Sequence, residues 1–167
     1  MSEQTTVWDL ALIQKYNYSG PRYTSYPTAL EFSERYDNTA FENAAARYPA
    51  RSLSLYVHIP FCHKLCYFCG CNKLVTRQQH KAEEYLNVLE KEISHRAPLF
   101  KGRQVSQLHW GGGTPTYLDK AQISRLMGLL RAHFDILPDA EMSLEVDPRE
   151  IELDVLDHLR SEGFNRL

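Results

Sequence analysis

All four cysteines of this 167-residue chain fall in one run, Cys62-His63-Lys64-Leu65-Cys66-Tyr67-Phe68-Cys69-Gly70-Cys71. Structural disulfides usually join distant parts of a chain, and no cysteine outside this run is available to Cys62 or Cys66. The spacing C-x3-C-x2-C instead brings three thiols to one side of a short loop. Soft sulfur donors favour iron–sulfur clusters, zinc or cuprous ion over hard cations. Ligand count separates these. A structural zinc site wants four closed ligands, normally arriving as two separated pairs, and a second C-x2-C or H-x3-H knuckle is missing. A cubane held by Cys62, Cys66 and Cys69 leaves one iron without a protein ligand, open to a small molecule carrying an amino and a carboxylate group. Cys71 follows Cys69 too closely to serve the same cluster and reads as a separate thiol. A zinc knuckle is the alternative.

The rest of the composition is that of an ordinary soluble globular protein, with 43% hydrophobic and 24% charged residues in a chain long enough for one domain with a real core. A formal charge of -2 argues against a nucleic-acid binder, so any anionic ligand must be met by local positive groups. Met1-Ser2-Glu3-Gln4 lacks the basic and apolar regions of a signal peptide. No run approaches the roughly 18 apolar residues of a membrane span. A reducing cytoplasm is expected, where free thiols are the normal state of cysteine.

Along the chain, Trp8, Leu12 and Ile13 predict a short amphipathic helix from about Thr6 to Tyr16, ended by Gly20-Pro21. The stretch from Ser19 to Thr28, with two prolines and two tyrosines, suits an extended arm. Thr39 to Arg47 is alanine-rich and predicts a second helix. From Leu53 the pattern changes. Leu53, Leu55, Val57 and Ile59 alternate as a strand with Tyr56 and His58 on its other face, and the cysteine run follows directly. Gln79 to His95 predicts a helix closed by Pro98, and Val105 to Trp110 a second strand ending in three glycines. Ile123, Leu126, Met127, Leu130 and Phe134 mark a helix; Met142, Leu144 and Val146 a third strand; and Leu153, Leu156 and Leu159 a helix with Gly163 as its C-cap. Phe164 to Leu167 looks like the start of a fourth strand.

Strand and helix alternating at this rhythm predict an α/β fold of βαβ units with a parallel sheet, whose chemistry sits beyond the C-terminal strand ends. The cysteines, Gly111-Gly112-Gly113-Thr114 and Glu145 all fall there. A glycine run at such a point removes Cβ atoms, which lets a ligand approach the backbone. Glu145 offers a carboxylate that can accept two hydrogen bonds from vicinal hydroxyls. Each has a plainer explanation: a turn, and a solvated carboxylate. His58 is either a contact to a cluster sulfide or a satisfied core histidine. Lys73, Arg77 and Lys81 either meet acidic groups or form a solvated helix start.

Cys62-x3-Cys66-x2-Cys69, with Phe68 before the third cysteine, resembles the signature loop of the radical S-adenosylmethionine (SAM) enzymes. Tyr56-Val57-His58-Ile59-Pro60-Phe61-Cys62, the extra Cys71 and Trp110-Gly111-Gly112-Gly113-Thr114-Pro115 narrow the likeness to the oxygen-independent coproporphyrinogen III oxidases. The related haem chaperones resemble it less, since they typically lack Cys71 and the Pro21 to Pro27 arm. The resemblance implies an incomplete (βα) partial barrel of the radical SAM type with an N-terminal helical and extended arm. Residues 1–50 would be the arm and 51–167 the first half of a (βα)6 partial barrel, leaving an exposed sheet edge prone to association and a fragment inactive by itself.

The resemblance also implies a [4Fe-4S] cluster on Cys62, Cys66 and Cys69, and SAM in one or two copies. Tyr56, Phe68, Gly112, Gly113, Thr114 and Glu145 would contact the cofactor, Glu145 through the ribose. Many radical SAM enzymes have a glutamate where this chain has Gly113. Cys71 would handle a hydrogen atom or an electron beside the substrate, or be only structural. Arg22 in the arm would pair with a substrate carboxylate, unless the arm is a linker. The implied reaction converts coproporphyrinogen III to protoporphyrinogen IX: a 5′-deoxyadenosyl radical takes hydrogen from a propionate β-carbon, and loss of carbon dioxide and one electron leaves a vinyl group. A low-potential donor such as flavodoxin or ferredoxin would supply electrons, and the full-length protein would be a monomer. The alternatives are a haem chaperone of the same superfamily and a non-redox, zinc-stabilised interaction module.

Overall fold

A computed structural model describes residues 8–17, 31–67 and 69–167. The expected arm with Arg22, and Phe68, lie outside these. The chain packs as two units, Met1–Asp37 and Asn38–Leu167. In the first, helix α1 (Leu10–Tyr16) starts where the Asp9 carboxylate accepts from the Leu12 amide at 2.9 Å. Its apolar side chains Leu12 and Ile13 are exposed.

In the second unit, α2 (Asn38–Ala46) is the alanine-rich helix. Phe41 meets Phe100 edge-on at 6.1 Å, and the Arg96 guanidinium lies 4.8 Å over the Phe41 ring. Arg96 also donates to Asn38 Oδ1 at 3.0 Å. These contacts tie α2 to the sheet-bearing unit, which as a packing unit begins at Asn38.

Three parallel strands follow in the order β1 (Leu53–Ile59), β4 (Gln104–Gly112), β5 (Asp135–Leu144). Between β1 and β4 lie two short parallel strands, β2 (Phe61–Cys62) and β3 (Leu74–Val75), which the apolar pattern did not predict. One face of the main sheet is apolar. Val57, Ile59, Leu108, Trp110, Met142 and Leu144 are buried in a core shared with α3 (His80–Arg96), α4 (Lys120–His133) and α5 (Leu153–Ser161). Burying such side chains contributes on the order of 1.5–3 kcal/mol each. The other face carries Tyr56, His58, His109 and Ser143, as the two-residue period of a strand requires.

Pro98 closes α3 inside a single 3-10 turn, Ala97–Phe100. Helix α4 opens on a reciprocal cap: Gln122 N–H donates to Asp119 and the Gln122 side chain accepts from the Asp119 amide. Gly163, at φ 89°, follows α5 as the expected C-terminal glycine. Strand β5 departs from expectation. It begins at Asp135 and ends at Leu144, leaving Val146 beyond it. Pro138 and the charged Asp139 and Glu141 break the apolar alternation there. The ladder absorbs them by jumping from Val105↔Ile136 to Gln107↔Glu141. Beyond α5 the expected fourth strand is represented only by a single parallel bridge, Arg166 to Ser143. The architecture is a mixed α/β partial barrel, parallel and not closed. Among the described residues no helix is long and apolar enough to cross a membrane.

Candidate functional site

The cysteine loop is clamped at both ends. Leu74 N–H donates to Pro60 O at 2.6 Å and Thr76 N–H to Cys62 O at 3.0 Å, so β2 and β3 pin residues 62 and 75 side by side. Lys73 Nζ reaches back to Cys69 O and Cys71 O, each at 3.3 Å, bracing the loop from inside. Arg77 is exposed just beyond it, and Lys81 lies in the first turn of α3. Beneath the loop, Phe61 stacks on Tyr117 at 5.2 Å and meets Tyr85 edge-on at 5.6 Å. Tyr85 donates its hydroxyl to His58 O at 2.6 Å, fixing the backbone where β1 gives way to the cysteines.

Cys62 is buried, Cys69 half-buried, and Cys66 and Cys71 exposed; all four are free thiols. Burial pushes the Cys62 thiol up, against the Thr114 hydroxyl, whose Oγ1 lies 3.8 Å from its sulfur. The Cys71 backbone and thiol hold Cys69 down, and the same thiol contact raises Cys71. The loop after β5 meets the cysteines from the opposite side. Lys64 pairs with Glu150 at 2.9 Å. Arg149, bonded to both oxygens of Asp147, holds that carboxyl down at about 2.

Each glycine of the run that ends β4 sits close against the protein's own atoms. A Cβ on Gly113 would lie 2.6 Å from Phe61 O and 2.9 Å from Cys62 Sγ. The glutamate common at this place elsewhere therefore does not fit this backbone. Gly112, at φ 111°, lies under the His58 ring, which a Cβ would approach to 2.6 Å. A Cβ on Gly111 would stand 3.0 Å from His109 Nε2 and 3.2 Å from Glu145 Oε1. Gly113 and Thr114 donate their amides to Ile59 O and Phe61 O, both at 2.8 Å, so this turn is strapped to the cysteine strand.

Across the polar face runs a row of hydrogen bonds, a ring stack and a charge contact. His58 Nε2 contacts Asn72 O at 2.8 Å; since a carbonyl only accepts, that nitrogen carries the proton, and Nδ1 accepts from Tyr56 Oη at 3.0 Å. Tyr56 stacks on His109 at 5.8 Å. Burial raises the Tyr56 hydroxyl, with Glu145 and Cys71 adding to it. His109 Nδ1 meets Ser143 Oγ at 2.7 Å, and its Nε2 stands 3.6 Å from Glu145 Oε1. Glu145 Oε2 accepts from Gly112 N–H at 3.1 Å. A cavity of about 380 Å³ opens beside His109, Ser143 and Glu145, reaching down to Glu141 and Arg166.

The expected positions thus gather at one end of the sheet, with Phe68 outside the described residues. His109 and Ser143 escaped the sequence reading, although their alternation with Trp110 and Leu144 put them on the same face as Tyr56. As for a metal, among the described residues no three His, Cys, Asp or Glu side chains stand close enough to hold an ion. The donor set nonetheless fits an iron–sulfur cluster: three free thiols in a loop pinned at both ends, one of them sealed against Gly113.

A parallel, unclosed α/β sheet with a tri-cysteine loop after its first strand defines a class, and the family comparison agrees: the chain belongs to the radical SAM superfamily, whose model matches residues 56–167. Within it, the chain is 80% identical over 167 residues to the oxygen-independent coproporphyrinogen III oxidases of Salmonella typhimurium and Escherichia coli K12, covering 36% of each. It is 71% identical over 142 residues to that of Mannheimia haemolytica, spanning 97% of that relative and 85% of this chain. The solved coproporphyrinogen III oxidase of Escherichia coli, described as a radical SAM enzyme, superposes with a TM-score of 0.85 at 75% identity, over 96% of this chain and 36% of that one. The chain therefore spans little more than a third of the length of the Salmonella and Escherichia relatives.

Proposed function

We propose that this chain carries the cofactor half of an oxygen-independent oxidative decarboxylation of coproporphyrinogen III to protoporphyrinogen IX in haem biosynthesis. The observation that carries the reading is the Cys62 loop clamped beside Gly113, Thr114 and the Glu145 carboxylate. The 80% identity to oxidases named for that substrate supports it.

Cys62, Cys66 and Cys69 would hold a [4Fe-4S] cluster, and Tyr56, Phe68, Gly112, Gly113, Thr114 and Glu145 would hold SAM. When bound, this pair supplies a 5′-deoxyadenosyl radical. The chain's own work is positional. The buried rings of Phe61 and Tyr117, with the half-buried Tyr85 at their edge, would keep water from the underside of the loop. Thr114 Oγ1 orients the Cys62 sulfur. Glu145, with Gly112 N–H on one oxygen, keeps lone pairs for a ribose diol. Cys71 would face the substrate as a thiol separate from the three ligands. A second SAM beside Gly113 and Thr114, a flavodoxin-like or ferredoxin-like donor, and a monomeric full-length enzyme complete the proposal.

Oxygen-free reconstitution tests it. About four irons per chain in a brown protein, lost in Cys62→Ser, Cys66→Ser and Cys69→Ser and kept in Cys71→Ser, is the expected result. A colourless protein holding one zinc would sink it. In the full-length enzyme, vinyl products from coproporphyrinogen separate an oxidase from a haem carrier.

A further inference from the structure

Tyr56, His109 and Ser143 are lateral partners on three adjacent strands, so their side chains form one row across the polar face. Two residues further along each strand lies a second row: His58 on β1, its partner Gly111 on β4, and Glu145 just past β5. The centre of that second row has no side chain. His109 leans into the gap and Glu145 closes on it from the other side, since the position of a Gly111 Cβ is within 3.0 Å of His109 Nε2 and 3.2 Å of Glu145 Oε1.

The imidazole is held from two directions. Tyr56 stacks on its face with the rings 21° apart, and Ser143 Oγ bonds its Nδ1 at 2.7 Å. Because Nε2 faces the carboxylate, the neutral tautomer that suits both partners carries its proton on Nε2 and takes the Ser143 hydroxyl hydrogen on Nδ1. One carboxylate oxygen is held, Oε2 accepting from Gly112 N–H at 3.1 Å, while Oε1 stands opposite His109 Nε2 at 3.6 Å, an electrostatic contact longer than a hydrogen bond. The Glu145 side chain is 55% exposed, so its remaining lone pairs stay open to a vicinal diol.

We propose that His109 is a positioning residue for Glu145: backed by Ser143 and Tyr56 and admitted by the missing side chain of Gly111, it fixes the carboxylate that receives the ribose of SAM. This rests on the reading of Glu145 as the ribose acceptor. The mechanism is preorganisation. An exposed glutamate loses side-chain entropy on binding, and a carboxylate already oriented loses less.

The test uses the full-length, cluster-loaded enzyme and compares binding of SAM with that of methionine, which has no ribose. His109→Phe keeps the ring and removes both nitrogens; His109→Gln restores a donor toward Glu145. Expected are about tenfold weaker SAM binding in His109→Phe, unchanged methionine binding and iron content, recovery in His109→Gln, and a loss in Gly111→Ala similar to that in His109→Phe. In a Glu145→Gln background, His109→Phe should add little. SAM affinity unchanged in His109→Phe but lowered in Glu145→Gln overturns the role of His109 alone. Equal losses for SAM and methionine in His109→Phe also overturn it. Affinity unchanged in Glu145→Gln overturns the ribose reading, and this proposal with it.

Discussion

Gly113 rests against the sulfur of Cys62, leaving no room for even a methyl group: a Cβ there would stand 2.9 Å from Sγ and 2.6 Å from the carbonyl oxygen of Phe61. The turn after β4 and the first cysteine are therefore shaped to one another. Gly113→Ala should displace the Cys62 thiol while leaving the remote core of α3, α4 and α5 in place. Iron analysis after oxygen-free reconstitution should find well under half the wild-type load with the helical circular-dichroism signal unchanged. Full iron loading would show that the contact is dispensable.

Tyr85 anchors the end of β1 through its 2.6 Å bond to His58 O. Burial raises its hydroxyl above the ordinary tyrosine value, so it remains a donor across the neutral range. Tyr85→Phe leaves that carbonyl without this partner and should cost about 1–3 kcal/mol. Urea denaturation of the two proteins in parallel measures the difference.

Glu162 links α4 to α5 by accepting from Ser124 Oγ at 2.5 Å and Arg131 Nη1 at 2.9 Å. Burial alone would raise its carboxyl, but Ser124 and Arg131 outweigh it and the group sits below the ordinary 4.5. A depressed carboxyl stabilises the fold above its unfolded value and loses that contribution as pH falls through the folded one. Glu162→Gln should therefore be less stable than wild type at neutral pH, with the gap narrowing as pH drops below about 4.5. Thermal melts across that window would expose a gap that fails to narrow.

Asp119 satisfies the first amides of α4 together with Gln122. Asp119→Ala should lower stability by about 1 kcal/mol. Because Gln122 also accepts from Gln79 Nε2 at 3.1 Å, just ahead of α3, a double-mutant cycle between Asp119 and Gln79 should reveal coupling.

Much of this architecture is written in local patterns. Strand β1, helix α4 and the Gly163 cap follow from alternation, helical spacing and a left-handed glycine, all short-range signals. The start of β5 was hidden because Pro138 and its charged neighbours occupy an irregular stretch of ladder, where pairing with Val105 and Gln107 rather than local preference makes the strand. Strands β2 and β3 were hidden because two-residue strands carry no period. At the site, the thiols, Tyr56 and Glu145 were legible from spacing and resemblance. His109 and Ser143 were not, because their meaning lies in register: only lateral pairing of β4 with β5 brings them together. The purpose of the glycines was also only half legible. Gly111, Gly112 and Gly113 make room for His109 with Glu145, for the His58 ring and for Cys62 Sγ, none of which is near in sequence except His109.

The clasp between β2 and β3 bears on what holds the cysteine loop closed. Small zinc modules need their ion to fold at all, since nothing else closes the loop between their ligands. Here backbone bonds from Leu74 and Thr76 already draw the ends of the cysteine segment together. Those bonds are made by the main chain alone, so the separation of the two ends of the cysteine segment is set by the strand pair and not by any of the four sulfurs.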